Sequence, residues 1–226
     1  MVLHKTKLNP SQTEKKDMPI YQKRVGKLLH LMCWSRPDIL NATCKVSRYM
    51  GQVVKPHYKA LYKIMDYVTT TAKRELNLQP KGQWNSKDKK YKFQVTSTGN
   101  TEFYKDKEMR KNVGGHIVYL NLALVTIVYM IQRIVVLSVT EAELIQVVKC
   151  AKDMLFMWRL LLKMDLEVKL PMILEADNQG DINMINNWSS SGRTCHIDCN
   201  LKFLHKLKQV NILRVIWKSG KEMRQM

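Results

Sequence analysis

The chain has 226 residues, of which 45% are hydrophobic, so global disorder is excluded and one full domain plus a smaller helical piece can be built. Its 38 basic and 19 acidic residues give a formal net charge of +19. This excess favours phosphate backbones or anionic membranes as partners, and a solvated basic surface is the simpler alternative. Scattered cysteines and a polar, Lys-rich beginning predict an intracellular setting, cytoplasmic or nuclear.

The first part of the chain has the periodicity of helices. Residues 1–19 are polar and predict a flexible lead-in, whereas apolar residues at spacings of three and four predict three helices within residues 20–80. Pro37 stands where the first residue of the second helix should be. The turn-rich segment from Pro80 to Lys92 predicts a linker or a hairpin tip. It contributes most of the candidate phosphate contacts: Lys87, Lys89, Lys90 and Lys92.

After this linker the pattern is typical of strands. The predicted elements are strands at Tyr91–Thr98, His116–Leu120 and Val125–Leu137, a long helix, a strand at Met172–Ala176, helices at Asn178–Asn187 and Asp198–Val210, and a strand at Ile212–Trp217. Thr140 and Glu143 have the spacing of a capping box, so the long helix is predicted to begin at Thr140. This order predicts an α/β fold with a mixed five-stranded sheet flanked by helices.

The stretch from Ile117 to Leu137 approaches the length and hydropathy of a membrane span. Asn121, Gln132 and Arg133 interrupt it, and its many Val, Ile, Thr and Tyr residues suit strands better. Two adjacent buried strands are therefore predicted. A membrane-associated or interaction protein that uses this stretch is the alternative.

Four blocks of sequence resemble the Pol polyprotein of copia-type LTR retrotransposons, in the order and spacing of that family. They are YQKRVGKLLHLMCWSRPDILNATCKVSRYM (residues 21–50), VVLSVTEAEL (135–144), ILEADNQGDINMINN (173–187) and RTCHID (193–198). The resemblance implies a helical remnant of the reverse-transcriptase thumb or connection over residues 20–80. It also implies an RNase H-like domain over residues 91–226 that lacks its closing helix. A polymerase motif of the type Y-x-D-D is absent from the sequence.

The resemblance assigns a catalytic set to the second domain. RNase H chemistry uses four carboxylates around two divalent cations, here Mg²⁺. Asn100 stands where the family has its metal-bridging Asp, and Glu102 matches a second acid on the same strand. Glu143 and Asp177 keep the next two positions as metal ligands, whereas Met226 stands in place of the last Asp. A helix-capping role is the ordinary alternative for both Glu143 and Asp177.

These assignments imply a fragment that binds an RNA–DNA hybrid or another nucleic acid, with Arg193 as a further phosphate contact, and that is catalytically impaired. A weakly active, Mg²⁺-dependent RNase H is the alternative activity. The turn after the second strand also departs from the family, because Leu122-Ala123-Leu124 replaces a Gly-Ser-Pro type of turn. We therefore expect it to lack the positive-φ constraint of the family's turn.

Overall fold

A computed structural model describes residues 18–76, 78, 91–106, 111–132, 139–179, 182, 185 and 195–219, with side chains omitted at 100–106, 111 and 195–197. The chain divides into two compact units, Met1–Leu76 and Asn77–Met226. The predicted lead-in lies almost wholly outside the described residues, and so does the linker between Pro80 and Lys92. The origin of the first unit as a reverse-transcriptase remnant stays a prediction.

Three helices form the first unit. They are α1 (Met18–Trp34), α2 (Leu40–Ser47), which a 3₁₀ turn over Pro37–Ile39 precedes, and α3 (Lys55–Thr70). Pro37 opens the turn because its fixed φ suits a helical start and its missing N–H is not needed there. Apolar residues at three-to-four spacing on each helix meet in one buried cluster, which includes Tyr21, Val25, Leu28, Ile39, Val46, Leu61 and Ile64.

A buried arginine ties the end of α1 to the end of α3. Arg36 is 5% exposed, and its guanidinium donates to the Asp38 carboxylate at 2.9 Å and to the Thr71 carbonyl at 3.0 Å. Tyr67 donates to the same carboxylate at 3.0 Å. Burial alone would raise the pKa of Asp38, but the hydrogen bonds from Arg36 and Tyr67 outweigh it and hold the pKa below its usual range. The buried charge is therefore paired and hydrogen-bonded.

The second unit is an α/β fold around a mixed five-stranded sheet. Its elements are β1 (Lys92–Phe93), β2 (Val95–Asp106), β3 (Lys111–Leu120), β4 (Ala123–Ile131), α4 (Val139–Lys163), β5 (Glu167–Val168), β6 (Met172–Ala176), α5 (Cys195–Gln209) and β7 (Leu213–Trp217). The strand order is β4-β3-β2-β6-β7. β2, β3 and β4 are antiparallel, whereas β6 and β7 run parallel to β2. The predicted fold class is confirmed.

The core of this unit lies between the sheet and α4. Alternate residues of β2 and β6 face the helix because successive strand side chains point to opposite faces. The buried cluster includes Val95, Val118, Leu144, Val148, Ala151, Met154, Leu174, Ala176, Leu204 and Leu213. A small parallel pair of β1 with β5 extends this core, and it was not predicted from the sequence. The predicted helix over Asn178–Asn187 lies mostly outside the described residues.

Predictions about where two elements end or begin, and about the backbone of one turn, were wrong. β2 runs on to Asp106, well beyond the predicted Thr98, because β3 pairs with it along this length. The turn between β3 and β4 does have positive φ, with 50° at Asn121 and 66° at Leu122, and Ala123 already belongs to β4. The long helix begins at Val139, so Thr140 lies inside its first turn instead of before it.

Asn121 explains why the turn keeps this backbone without glycine. Its side chain accepts a hydrogen bond from the Gln94 N–H at 2.8 Å and donates to the Tyr91 hydroxyl at 2.8 Å. Its own N–H donates to the Gln94 carbonyl at 2.9 Å. Asn tolerates the left-handed region better than most residues, and these contacts stabilise it there.

The apolar stretch from Ile117 to Leu137 forms two strands joined by the turn at Asn121 and Leu122 over nearly all of its described residues. Its first part completes β3 and its middle part forms β4, as predicted, whereas residues 133–138 lie outside the described ranges. Among the described residues no helix is both long enough and apolar enough to cross a membrane.

Candidate functional site

The candidate catalytic residues lie where β2 and β6 run side by side. Gly99 of β2 pairs with Ala176 at the last position of β6. The next residues along these two parallel strands are Asn100 and Asp177, so the sheet brings their backbones together. We call this end of the two central strands the β2–β6 edge. Glu102 follows two residues later in β2, opposite Val113 of β3. The side chains of Asn100 and Glu102 are outside the described part of the chain.

Glu143 reaches the same edge from the first turns of α4. Asn178, the residue directly after Asp177, donates a hydrogen bond from its Nδ2 to the Glu143 Oε2. The two retained acids therefore lie at one end of the sheet, on adjoining elements. The contact also means that an amide N–H points at the Glu143 carboxylate.

A series of polar contacts fixes α4 on the sheet and thereby sets the position of Glu143. Near the start of the helix, Gln132 Nε2 donates to the Ala142 carbonyl at 2.7 Å. One turn further, Gln146 Nε2 lies 2.8 Å from His116 Nδ1, and His116 Nε2 lies 2.6 Å from an Asp153 carboxylate oxygen. Because the Gln146 amide nitrogen can only donate, His116 Nδ1 accepts and His116 Nε2 donates to Asp153.

The Cys150 thiol belongs to the same helix–sheet boundary. Its sulfur lies 2.6 Å from the Ser97 hydroxyl, which also donates to the Ile117 carbonyl at 2.6 Å. Burial raises the pKa of Cys150 to about 12 despite the hydrogen bond with Ser97. A thiol in this state is a packing group and a weak nucleophile.

The backbones of β3 and β4 approach closely at Gly115, beside the Asn100 position. Gly115 of β3 pairs with Asn100 on one side and with Tyr129 of β4 on the other. A Cβ at Gly115 would lie 2.8 Å from the Val128 carbonyl oxygen, so a side chain there would push the two strands apart. The glycine thus preserves the strand spacing next to the candidate site.

The end of β7 closes the same edge. Trp217 Nε1 donates to the Asp177 carbonyl at 3.1 Å, and the Lys218 N–H donates to the Ala176 carbonyl at 2.9 Å. The Lys218 ammonium contacts both oxygens of Glu175 at 2.9 and 3.0 Å. The segment that leads from Trp217 to Met226 therefore starts beside Asp177. Met226 itself is not among the described residues.

These residues do not fit a pair of Mg²⁺ ions. Two cations held close together need several carboxylates to offset their mutual repulsion. Among the side chains that the structure describes, the edge offers the carboxylates of Glu143 and Asp177, and an amide N–H is directed at Glu143. The sequence has a neutral amide at position 100, and the side chain of Glu102 lies outside the described ones. Within the described ranges no group of three or more His, Cys, Asp or Glu side chains is arranged to hold a metal ion.

The basic residues chosen from the sequence are only partly visible. Lys92 lies in β1, and its ammonium is 3.4 Å from the Glu167 carboxylate of β5, which partly neutralises its charge. Lys87, Lys89, Lys90 and Arg193 lie outside the described residues. Their role as phosphate contacts stays a prediction.

A basic and aromatic surface on the first unit was missed by the sequence analysis. Arg24 of α1 donates from Nη1 to the Tyr62 hydroxyl of α3 at 2.5 Å, with its guanidinium carbon 5.0 Å from the Tyr62 ring centroid. Exposed lysines one helical turn apart accompany this contact on both helices. We name this surface the α1–α3 seam, which consists of Lys23, Arg24, Lys27, Lys59, Tyr62 and Lys63.

The charge of the first unit supports a role for this seam. Residues 18–76 contain eleven Lys or Arg residues and three Asp or Glu residues. One of these acids, Asp38, is already paired with Arg36. The lysines four residues apart were visible in the sequence, but the sequence does not show that α1 and α3 meet here. The contact between Arg24 and Tyr62 and the ring contact between Tyr21 and Tyr58 show it.

The fold and the edge geometry together define an α/β domain with a mixed five-stranded sheet, and a helical unit precedes it in the chain. Comparisons with known proteins confirm the resemblance to Pol polyproteins. The chain is 27% identical over 196 residues to the retrovirus-related Pol polyprotein from transposon TNT 1-94 of Nicotiana tabacum, and 28% identical over 206 residues to that from transposon RE1 of Arabidopsis thaliana. The matches cover 87% and 91% of this chain.

The same matches cover 14% and 13% of those two polyproteins, so the chain spans about one seventh of their length. No family model matches the sequence. A solved structure of LC11-RNase H1, isolated from compost by a metagenomic approach, aligns with a TM-score of 0.40 and 12% identity, covering 58% of this chain and 89% of that one.

Proposed function

We propose that the chain is a nucleic-acid-binding piece of a retrotransposon Pol polyprotein whose RNase H-like domain is impaired in cleavage. The observation that carries this proposal is the composition of the β2–β6 edge. Asn100 occupies the place beside Asp177 where the resemblance calls for a charged, metal-bridging oxygen, and Glu143 receives an amide hydrogen bond. The register of β2 and β6 supports this proposal by placing positions 100 and 177 together, and the neutral amide of Asn100 supplies no charge there.

Binding follows from the positive charge. A protein that neutralises phosphates with Lys and Arg releases condensed counterions, so its affinity falls steeply as salt is added. The α1–α3 seam supports this part of the proposal, because it combines four lysines and an arginine with the face of an exposed tyrosine. RNA–DNA hybrid is the ligand that the resemblance implies, and duplex phosphate contacts alone would be largely blind to sequence.

The binding test uses a labelled RNA–DNA hybrid and a salt titration of its affinity. The double variant Lys59→Glu/Lys63→Glu reverses the charge of two seam lysines and should weaken binding. The slope of log affinity against log salt should fall by about 2, because each lost phosphate contact removes about one released ion. The matched control is Lys202→Glu/Lys206→Glu on α5, which lowers the net charge equally. Equal losses in both variants would mean diffuse attraction and would exclude the seam as the binding surface.

The cleavage test compares the unaltered chain with variants of the edge in Mg²⁺. We expect little or no cleavage by the unaltered chain, and recovery in Asn100→Asp/Met226→Asp, because these substitutions restore two carboxylates to the set of four. Adding Glu143→Gln to the restored variant should abolish cleavage again. Efficient cleavage by the unaltered chain that Glu143→Gln removes would refute the impairment and establish the alternative, an active RNase H.

A further inference from the structure

The second half of α4 presents an apolar row to solvent. Phe156 and Leu160 of α4 and Met164, the first residue after the helix, follow one another at intervals of four residues and are 67%, 42% and 60% exposed, and the Met164 N–H still donates to the Leu160 carbonyl at 3.2 Å. Residues four apart lie on the same side of a helix, so these side chains form a continuous ridge. The first half of the same helix is buried almost all round, through Ala142, Leu144, Ile145, Val147, Val148, Cys150 and Ala151. Solvent-facing helix positions are ordinarily polar, so this ridge is unusual.

A basic row runs beside the apolar row. Lys152, Arg159 and Lys163 are all exposed and recur at seven and four residues, which keeps them along one flank of the ridge. Arg159 and Lys163 also suit the negative end of the helix dipole near the C-terminus. That explanation does not extend to Lys152, which lies in the middle of the 25-residue helix.

On the other side of the ridge the helix turns towards the core, through the buried Met157 and Leu161. Asp153 lies three residues before Phe156, and its carboxylate is 2.6 Å from His116 Nε2, so its orientation is fixed by the sheet. The surface is therefore asymmetric, with apolar side chains in the centre and basic side chains along one side only. A surface with one apolar row and one basic row favours ligands in one orientation and with one pattern of charges.

We propose that this face of α4 docks an amphipathic, acidic helix of a partner protein. Such a helix would place apolar residues at a spacing of three or four on Phe156, Leu160 and Met164, and its Asp or Glu residues along the basic row. Charge complementarity selects this occupant over a second copy of the chain, because two copies with a net charge of +19 repel each other. Nucleic acid would engage the basic row but leave the apolar row uncovered.

The probe for the experiment is an 18-residue, fluorescein-labelled helical peptide with Leu at three-to-four spacing and Glu along one flank, titrated with the full chain by fluorescence anisotropy. A peptide with Ser in place of Leu and a peptide with Lys in place of Glu serve as ligand controls. We expect binding by the first peptide only. Equal binding of the Ser peptide would mean that charge attraction alone holds the ligand, and equal binding of the Lys peptide would remove the argument from complementarity. Either result overturns the proposal.

Variants of the protein then locate the surface. Phe156→Glu/Leu160→Glu should lower the peptide affinity by about tenfold or more, a free-energy loss above about 1.4 kcal/mol. Lys152→Glu/Lys163→Glu should lower it as well. The apolar control is Val210→Glu, at another exposed apolar position that is 54% exposed, and the charge control is Lys202→Glu/Lys206→Glu. Unchanged circular dichroism melts exclude unfolding as the cause of a loss.

Two further outcomes would overturn the proposal in favour of other occupants. Sedimentation that shows a dimer in the unaltered chain and a monomer in Phe156→Glu/Leu160→Glu would identify a second copy as the occupant. A loss of RNA–DNA hybrid binding in that variant as large as the loss of peptide binding would assign the face to nucleic acid. Retained hybrid binding together with lost peptide binding supports a protein-docking face that is separate from the nucleic-acid function.

Discussion

Replacing His116 by Leu should destabilise the second unit, because it leaves the buried Gln146 amide without a hydrogen-bond acceptor. His116 is 2% exposed and bridges Gln146 and Asp153 with its two ring nitrogens. Leu has a similar volume but no polar atom, so the buried Gln146 Nε2 loses its acceptor at a cost of about 1–3 kcal/mol. Asp153 is 43% exposed and regains water, so its lost hydrogen bond adds only about 0.5–1 kcal/mol. The expected total is about 2–4 kcal/mol.

A double-mutant cycle separates this mechanism from a packing defect. Gln146 Oε1 already lacks a hydrogen-bond partner in the structure, so Gln146→Leu added to His116→Leu removes both of the amide's buried polar groups. The double variant should therefore be at least about 1 kcal/mol more stable than the sum of the single effects. Asp153→Asn keeps an acceptor for His116 and should cost less than about 1 kcal/mol.

Hydrogen exchange of the α4 and β3 amides, read by mass spectrometry, measures these differences within the second unit of the full chain. The reasoning is refuted if the double variant is as unstable as the sum of its single changes, because the loss then comes from packing. It is also refuted if Asp153→Asn costs as much as His116→Leu. That result would mean that the hydrogen bond from His116 to the Asp153 carboxylate, and not the buried amide, stabilises the helix.

Three other expectations follow from the structure. Gly115→Ala should cost about 1–3 kcal/mol by forcing β3 away from the Val128 carbonyl, whereas Gly26→Ala in open space on α1 should be neutral or stabilising by thermal melts. Because the pKa of Asp38 is lowered, its contribution is present above about pH 4 and is lost as pH falls through the lower folded value, so Asp38→Asn should flatten acid unfolding of the first unit. Iodoacetamide at pH 8 should label exposed Cys33 and spare Cys150 until urea is added, since the pKa of the buried thiol is about 12.

The elements with strong periodicity were predictable from the sequence. α1 and α3 repeat apolar residues at three-to-four spacing, and the long α4 does so over 25 residues, so each can bury one face only as a helix. β6 is a short apolar run between a proline and an acid, which favours a buried strand. These elements fix the fold class, because strands and helices in this order have few right-handed, unknotted arrangements.

Other features depend on contacts between residues distant in the sequence. The pairing of β1 with β5 joins two residues on each side across more than seventy positions, and such short strands have no periodicity of their own. The extension of β2 to Asp106 depends on β3 as its partner. The Asn121–Leu122 turn was misjudged because glycine and proline were sought, whereas Asn121 supplies the same backbone through side-chain hydrogen bonds.

The positions of the candidate site residues in the sequence were predictable, but the hydrogen bonds among them were not. Glu143 and Asp177 were chosen by resemblance, and the structure gives them a common edge through the parallel pairing of β2 with β6. The hydrogen bond from Asn178 to Glu143 has no counterpart in any sequence motif, because it joins two elements that the fold brings together. The α1–α3 seam was missed for the same reason.

The residues that build the edge and the residues that would carry its chemistry are different ones. The parallel register of β2 and β6 is maintained by buried residues such as Val95, Leu174 and Ala176, and none of them is acidic. Mutually repelling carboxylates at such an edge cost stability without a cation to offset them, so replacing one by a neutral amide does not weaken the sheet. A chain with Asn at position 100, where the resemblance implies Asp, can therefore keep the register, the helix position and the shape of the edge. Because different residues maintain the fold and carry the chemistry, restoring two side chains is a sufficient test of whether the scaffold still supports cleavage.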